Sequence, residues 1–315
     1  MQRIGFVVFE GFQSMSFAAL SVFEYANVMM GKPLYEMHFI SEKGGLVRSS
    51  TGMVVDSKPY GDSTYDTVIV GGGASILEHA PAALLDFIRK AAKSSRRVAS
   101  ICTGTFILAE AGILDGKRAT THWLYARNLQ ERFPNVKMEE DRIFIVDGNV
   151  WTSAGMTAGI DLALAMAEKD LGADTTRSIA QKLVIYHRRA GGQSQHSVLL
   201  ELAPKSDRIQ NALVYAKKNL KTALSVEQLA KAAHLSPRQF SRAFRAETGQ
   251  SPAKAIENLR LEAARLMMEQ TRHSLDEVAQ EAGFGDRRRL RESFLRAFGQ
   301  PPQTIRRNAR EEAMA

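Results

Sequence analysis

Two folds follow one another in this sequence: a doubly wound α/β domain with a mostly parallel sheet, then an all-α domain. Three observations predict this. Through the first two thirds, short β-rich apolar runs alternate with helix-period stretches, the pattern of βαβ units covered on both faces. From about Asp207 to Arg307 every apolar cluster has helical period, and no strand-like run interrupts it. The formal charge of +8 is also confined to the second region. Residues 1–204 carry 21 basic and 21 acidic side chains, whereas 205–315 carry 21 and 13. Such asymmetry points to a neutral domain joined to one that meets a polyanion.

The strand-like runs are 4–9, 37–40, 67–70, 97–101, 143–146 and 150–152. Helix-period stretches lie at 17–30, 82–93, 104–111, 123–133 and 157–171, with one more expected over 175–189. Gly191-Gly192-Gln193-Ser194-Gln195 reads as a loop. The expected organisation is therefore a domain over 1–190, a linker over 191–206 and a helical domain over 207–315. The length of 315 residues agrees with two domains of about 150 residues each.

Composition excludes several classes. Hydrophobic content of 44% and charged content of 24% exclude wholesale disorder. A single Cys excludes a disulfide framework, a zinc ribbon or an iron–sulfur site within one chain. No metal or cofactor is expected. The N-terminus lacks a signal-peptide pattern, and no stretch approaches the ~20 apolar residues of a membrane helix. The expected location is the cytoplasm, without membrane contact.

Within the helical domain, 224–249 and 275–299 share a plan. In the first unit, Ser225 with Gln228 makes a capping-box start, and Ser236 followed by Pro237 makes a second. Phe240 and Phe244, spaced i,i+4, face inward, leaving Arg238, Gln239, Ser241, Arg242 and Arg245 outside until Gly249 ends the helix. In the second unit, Leu275, Val278 and Ala279 line one helix, Gly283-Phe284-Gly285 makes the turn and Asp286 caps the next helix. Its inner face is expected to be Leu290, Phe294 and Leu295; its outer face carries Arg287, Arg288, Arg289, Arg291 and Arg296. Between the units, Ile256, Leu259, Ala263, Leu266 and Met267 suit a bridging helix. Guanidinium on such a face pairs bidentately with guanine edges, while other cations contact phosphates.

Residues 223–307 resemble the DNA-binding domain of the AraC/XylS family, two helix-turn-helix units joined by a linker helix. The most specific matching stretch runs from Asp276-Glu277-Val278-Ala279 through Ala282-Gly283-Phe284-Gly285 to Phe298-Gly299-Gln300-Pro301-Pro302. The resemblance implies double-stranded operator DNA as partner, with the second helix of each unit in the major groove and the two sites ~34 Å apart. Arg238, Ser241 and Arg242, then Arg287, Arg288 and Arg291, match the family's base readers. Glu292 departs from that pattern: near phosphate it would repel, and against a base it would select cytosine.

In the neutral domain, an apolar run stops at Cys102 and a helix begins at once in Cys102-Thr103-Gly104-Thr105, the arrangement of a nucleophile elbow. A helix N-terminus there would favour thiolate. Gly71-Gly72-Gly73 could offer oxyanion-hole amides, and His122 is a plausible third member. Residues 3–190 resemble the PfpI-type, class I glutamine-amidotransferase-like fold, to which isonitrile hydratases belong. Ile101-Cys102-Thr103-Gly104, Thr120-Thr121-His122-Trp123 and Ser153-Ala154-Gly155-Met156 carry that likeness. Thiol enzymes of this superfamily use an acidic residue where this sequence has Ser16, and a hydroxyl does not replace a carboxylate base.

Together the resemblances imply a sequence-specific transcriptional regulator, expected to be an activator working with RNA polymerase, homodimeric and nucleoid-associated when bound. Its front domain would sense a small-molecule effector or dimerise, with no catalytic residue assigned. Ser16, Gly72, Gly73, Cys102, Thr103 and His122, at the carboxyl ends of the strands, are the ligand-binding candidates. Two alternatives are a thiol-dependent hydrolase or hydratase fused to a DNA-binding domain, and a Cys102 redox sensor working without a resolving thiol. A purely structural Cys102 is a further reading.

Overall fold

The computed structural model describes residues 1–61, 64–74, 77–185, 189, 191–192, 195, 202 and 204–307, without the side chains of 269 and 270. It contains two compact units, Met1–Gln195 and His196–Met314. Much of the span expected to be a linker, over 191–206, lies outside the described residues.

The first unit is built on β1 (Gln2–Val7), β2 (Tyr35–Ser41), β3 (Lys43–Arg48), β4 (Val54–Pro59), β5 (Thr67–Val70) and β6 (Arg97–Ile101). After β7 (Arg118–Ala119) and β8 (Lys137–Met138), a small separate pair, come β9 (Phe144–Asp147) and β10 (Val150–Ser153). The main sheet has eight strands in the order β3-β4-β2-β1-β5-β6-β10-β9. Neighbours are parallel except β3 on β4 and β9 on β10. The order changes direction at β1, and in doubly wound sheets the carboxyl ends at such a switch point, here of β1 and β5, are where ligand sites form.

Both faces of the sheet are covered. Ile4, Phe6, Ile69, Ile101 and Trp151 meet α1 (Leu20–Met30), α5 (Met156–Leu171) and α6 (Ala173–Lys182). Val7, Val68, Val70, Val98 and Val150 meet α2 (Ala82–Ser94), α3 (Gly104–Glu110) and α4 (Trp123–Arg132). Alternate residues of one strand thus enter opposite cores. Every residue of β5 and β6 is buried, and both read as apolar runs broken only by Thr67, Arg97 and Ser100.

The expected strands are present, the first ending at Val7. β3, β4 and the short pair β7 and β8 are additions; β3 and β4, at one side of the main sheet and mostly exposed, carry Lys43, Asp56, Ser57 and Lys58 where an apolar run would have marked them. The helix expected over 175–189 stops at Lys182. Val184 takes a left-handed φ of 55°, the Val184 and Ile185 amides turn back to Gln181 and Ala180, and Arg189 is drawn to Asp161 by hydrogen bonds of 2.9 and 2.8 Å.

The second unit comprises α7 (Asp207–Lys218), α8 (Val226–Ala232), α9 (Pro237–Thr248), α10 (Pro252–Gln270), α11 (Leu275–Glu281) and α12 (Arg287–Phe298). Capping boxes at Ser225, Ser236 and Ser274 start α8, α9 and α11; left-handed Gly249 and Gly299 end α9 and α12. Phe240 and Phe244 lie in one core with Ala255, Ile256 and Leu259. Leu290 and Phe294 lie in another with Leu261, Ala264 and Met268. α10 therefore gives its first half to one core and its second to the other, and Ala263, Leu266 and Met267 are only half-buried. Leu295, expected inside, is 37% exposed, because Ser293 occupies the inner position beside Leu290 and Phe294.

Candidate DNA-binding face and effector pocket

The outer sides of α9 and α12 are cationic and open. Arg238, Gln239, Arg242 and Arg245 are exposed on α9, with Ser241 half-buried; Arg287, Arg288 and Arg291 are exposed on α12. Gln239 has a second duty, its side-chain carbonyl accepting the Ser236 N–H at 3.2 Å in the capping box. Among the described residues, Arg238, Arg242, Arg245, Arg287, Arg288 and Arg291 have no hydrogen-bond or ion-pair partner for their guanidinium groups. Neighbouring cations are committed: Arg289 to Asp286, Arg296 to Glu257 at 2.7 Å, and Arg260 to the Leu220 and Thr222 carbonyls at 3.2 and 2.8 Å. Unpaired guanidiniums on a helix face are ready to meet phosphates or guanine edges without first breaking a bond.

The second helix-turn-helix unit is held to the segment that leads from α7 into the first. Gly283, at φ +81°, brings its backbone so close to Leu220 that a Cβ would overlap the Leu220 carbonyl. Lys221 pairs with Glu281 at 2.5 Å. Burial by itself would raise the Glu257 carboxyl, but hydrogen bonds from Arg296, Lys254 and Ser293 outweigh it and hold the carboxyl below its usual range. Between the units lies a cleft of about 500 Å³, lined among others by Leu224, Lys254, Arg260, Arg289 and the exposed Glu292.

In the first unit, Cys102 stands at the end of β6 with φ 58°, a left-handed conformation rare for a side-chain-bearing residue. That turn is over-determined. Cys102 N–H donates to the Ser153 carbonyl at 3.0 Å, and the Thr121 hydroxyl donates to the Cys102 carbonyl at 2.8 Å. Thr105 hydroxyl also reaches that carbonyl at 3.1 Å. A Cβ on Gly104 would overlap the Val70 carbonyl, so only glycine lets α3 start against β5.

The candidates from Ser16 to His122 come together around this turn. Ser16 is buried, and the Gly72 N–H lies 3.4 Å from its hydroxyl oxygen. The Gly73 N–H donates to Thr103 Oγ1 at 3.1 Å. A Cβ on Gly72 would stand 2.9 Å from Thr103 Oγ1 and 3.4 Å from Cys102 Cβ. Gly155 lies between Cys102 and His122: a Cβ on it would stand 3.4 Å from His122 Cδ2 and 3.9 Å from Cys102 Sγ. His122 caps α4, its Nδ1 accepting the Leu124 N–H at 3.2 Å, which leaves the neutral ring's proton on Nε2.

This chemistry differs from the expected activated thiol. Burial pushes the Cys102 thiol above its ordinary value, and hydrogen bonding with Thr103 only partly opposes that. The Gly72 and Gly73 amides, expected to face a ligand, already point at Ser16 and Thr103. Thr121, Gly155 and Gln13, whose N–H donates to the Gly72 carbonyl at 2.8 Å, shape the same site. Thr121 and Gly155 lie in stretches that carry the PfpI likeness, but the sequence singles out neither as a site residue.

A model of the DJ-1/PfpI family matches residues 2–169, and a model of a helix-turn-helix domain matches residues 229–308. The chain belongs to the DJ-1/PfpI family. This DJ-1/PfpI member resembles regulators along almost its whole length. The HTH-type transcriptional regulator GbdR of Pseudomonas aeruginosa is 32% identical over 310 residues, 97% of this chain and 84% of that one. GlxA of Rhizobium meliloti, also an HTH-type transcriptional regulator, is 30% identical over 98% of this chain and 97% of its own. Isonitrile hydratase of Pseudomonas putida is 36% identical over a shorter stretch, 58% of this chain and 77% of that enzyme. In fold, a solved AraC family transcriptional regulator from Pseudomonas putida aligns with TM-score 0.51 and 21% identity over 58% of this chain and 100% of its own. With an AraC-type helix-turn-helix unit behind its DJ-1/PfpI unit, the protein is a DNA-binding regulator of transcription.

Proposed function

We propose that α9 and α12 enter successive major grooves of an operator, and that the Cys102 site binds a small-molecule effector instead of catalysing a reaction. The unpaired arginines on those two helices carry the first half of this reading. Replacing Arg238 and Arg242 by Ala is expected to remove a guanine or phosphate contact each, at about 1–3 kcal/mol for a base contact. Binding of the wild type and the double variant to duplexes selected from a random library checks this; equal affinities would refute it.

The buried, protonated thiol and the hydroxyl of Ser16 in the acid's place support the effector reading. Effector occupancy would bias how the helical unit engages DNA, a coupling between two sites. The same reading includes homodimerisation, contact with RNA polymerase at activated promoters and a cytoplasmic, nucleoid-associated location. The left-handed elbow at Cys102 is the observation that favours a second reading, a thiol-dependent hydratase or hydrolase. Turnover of an isonitrile by the wild type, abolished in Cys102→Ala, would establish that enzyme; absence of turnover in both leaves Cys102 a binding-site residue.

A further inference from the structure

The chain leaves the first unit beside the Cys102 site, and it is fastened there. Gly191 accepts hydrogen bonds from the Ile143 and Phe144 amides at 3.1 and 3.3 Å, and a Cβ on it would stand 2.6 Å from the Phe144 carbonyl oxygen. Arg142 donates to the Gly192 carbonyl at 2.6 Å. Gln195, the last residue of the unit, makes the densest set of contacts. Its N–H donates to Asp141 Oδ1 at 2.7 Å. Its Oε1 accepts the Trp123 N–H at 2.9 Å, satisfying an amide in the first turn of α4 that has no partner within the helix. Its Nε2 reaches the Thr121 and Glu140 carbonyls at 2.8 and 2.7 Å.

We infer that Gln195 is a positioning residue of the Cys102 site, tying the 120–123 turn to the point where the chain departs for the DNA-binding unit. The turn it grips carries His122, and Thr121 in that turn donates to the Cys102 carbonyl at 2.8 Å. A ligand that shifts His122 or Cys102 therefore strains the Gln195 contacts, and release of Gln195 loosens the turn. Only an amide serves here. It accepts from Trp123 and donates to two carbonyls at once, whereas a carboxylate would set oxygen against oxygen at 2.7–2.8 Å. This inference rests on the effector reading of the Cys102 site.

The test uses the full-length protein and N-ethylmaleimide, which has a single Cys to modify. Alkylation of Cys102 in the wild type is expected to change the Kd for a selected operator duplex by about fivefold or more, the lower range of allosteric coupling. In Gln195→Glu, nearly isosteric, the unmodified protein should keep wild-type DNA affinity while the effect of alkylation falls below about twofold. Thr121→Val, which cuts the other end of the chain of contacts, should decouple in the same way and decides the matter if Gln195→Glu folds poorly. Equal responses in wild type and both variants would overturn the assignment to Gln195. A wild type that does not respond to alkylation would overturn the effector reading itself, and this inference with it.

Discussion

At the scale of single residues, Cys102 shows how environment overrides motif. Its place at a strand-to-helix turn suggests an acidic thiol, yet burial dominates and the thiol is held protonated. The folded state therefore favours the neutral thiol. The stability this contributes is present at low pH and is lost as pH rises through the raised value. Alkylation of native Cys102 should accordingly accelerate at higher pH than alkylation of a free cysteine model, and the pH profile of the maleimide rate checks it. A profile at or below that of the free thiol would mean a thiolate-stabilising site. Sequence alone located this residue, its glycine neighbours and His122, because a strand, a cysteine and a helix start leave a local signature. It could not weigh burial against a helix terminus, and it could not find Gln195, whose partners lie 53 and more positions away.

At the scale of elements, strands buried on both faces and helices with capping boxes were legible, and polar edges were not. β5 and β6 announced themselves as apolar runs, while β3 and β4 owe their existence to pairing that no local pattern encodes. The junction between the second helix-turn-helix unit and the segment leading into the first belongs to the same unreadable class. Gly283 lies in the turn before α12, a place where glycine is common, but its closeness to Leu220 and to Arg260 Nε emerges only in three dimensions. Gly283→Ala adds a methyl group at φ +81° against a carbonyl and a guanidinium, so both backbone strain and overlap oppose it. A loss of about 2 kcal/mol or more is expected, together with weaker operator binding. Thermal unfolding and DNA titration of the purified variant measure both, and a melting curve unchanged from wild type would contradict the close approach.

For the whole molecule, charge divides as the fold does. The α/β unit is close to neutral over 1–204, and the excess of cations belongs to the helical unit. If Arg238, Arg242, Arg245, Arg287, Arg288 and Arg291 each displace a counterion, the logarithm of affinity should fall against the logarithm of salt concentration with a slope of about −5. Removing the first unit should leave that slope nearly unchanged. A much flatter line for either form would mean that these arginines do not face DNA.

The contact between the second helix-turn-helix unit and the segment entering the first also constrains how their target sequences evolve. With Leu220 against Gly283 and Arg260 donating to the Leu220 and Thr222 carbonyls, the entry to the first reading head is fastened to the second, and the two are expected to keep one spacing on DNA. Adding one base pair between the half-sites moves the second by about 3.4 Å and turns it by roughly 35° around the duplex axis. Promoters under this protein should therefore drift by base substitution and conserve length, and a single inserted base pair should cost more affinity than a single mismatch.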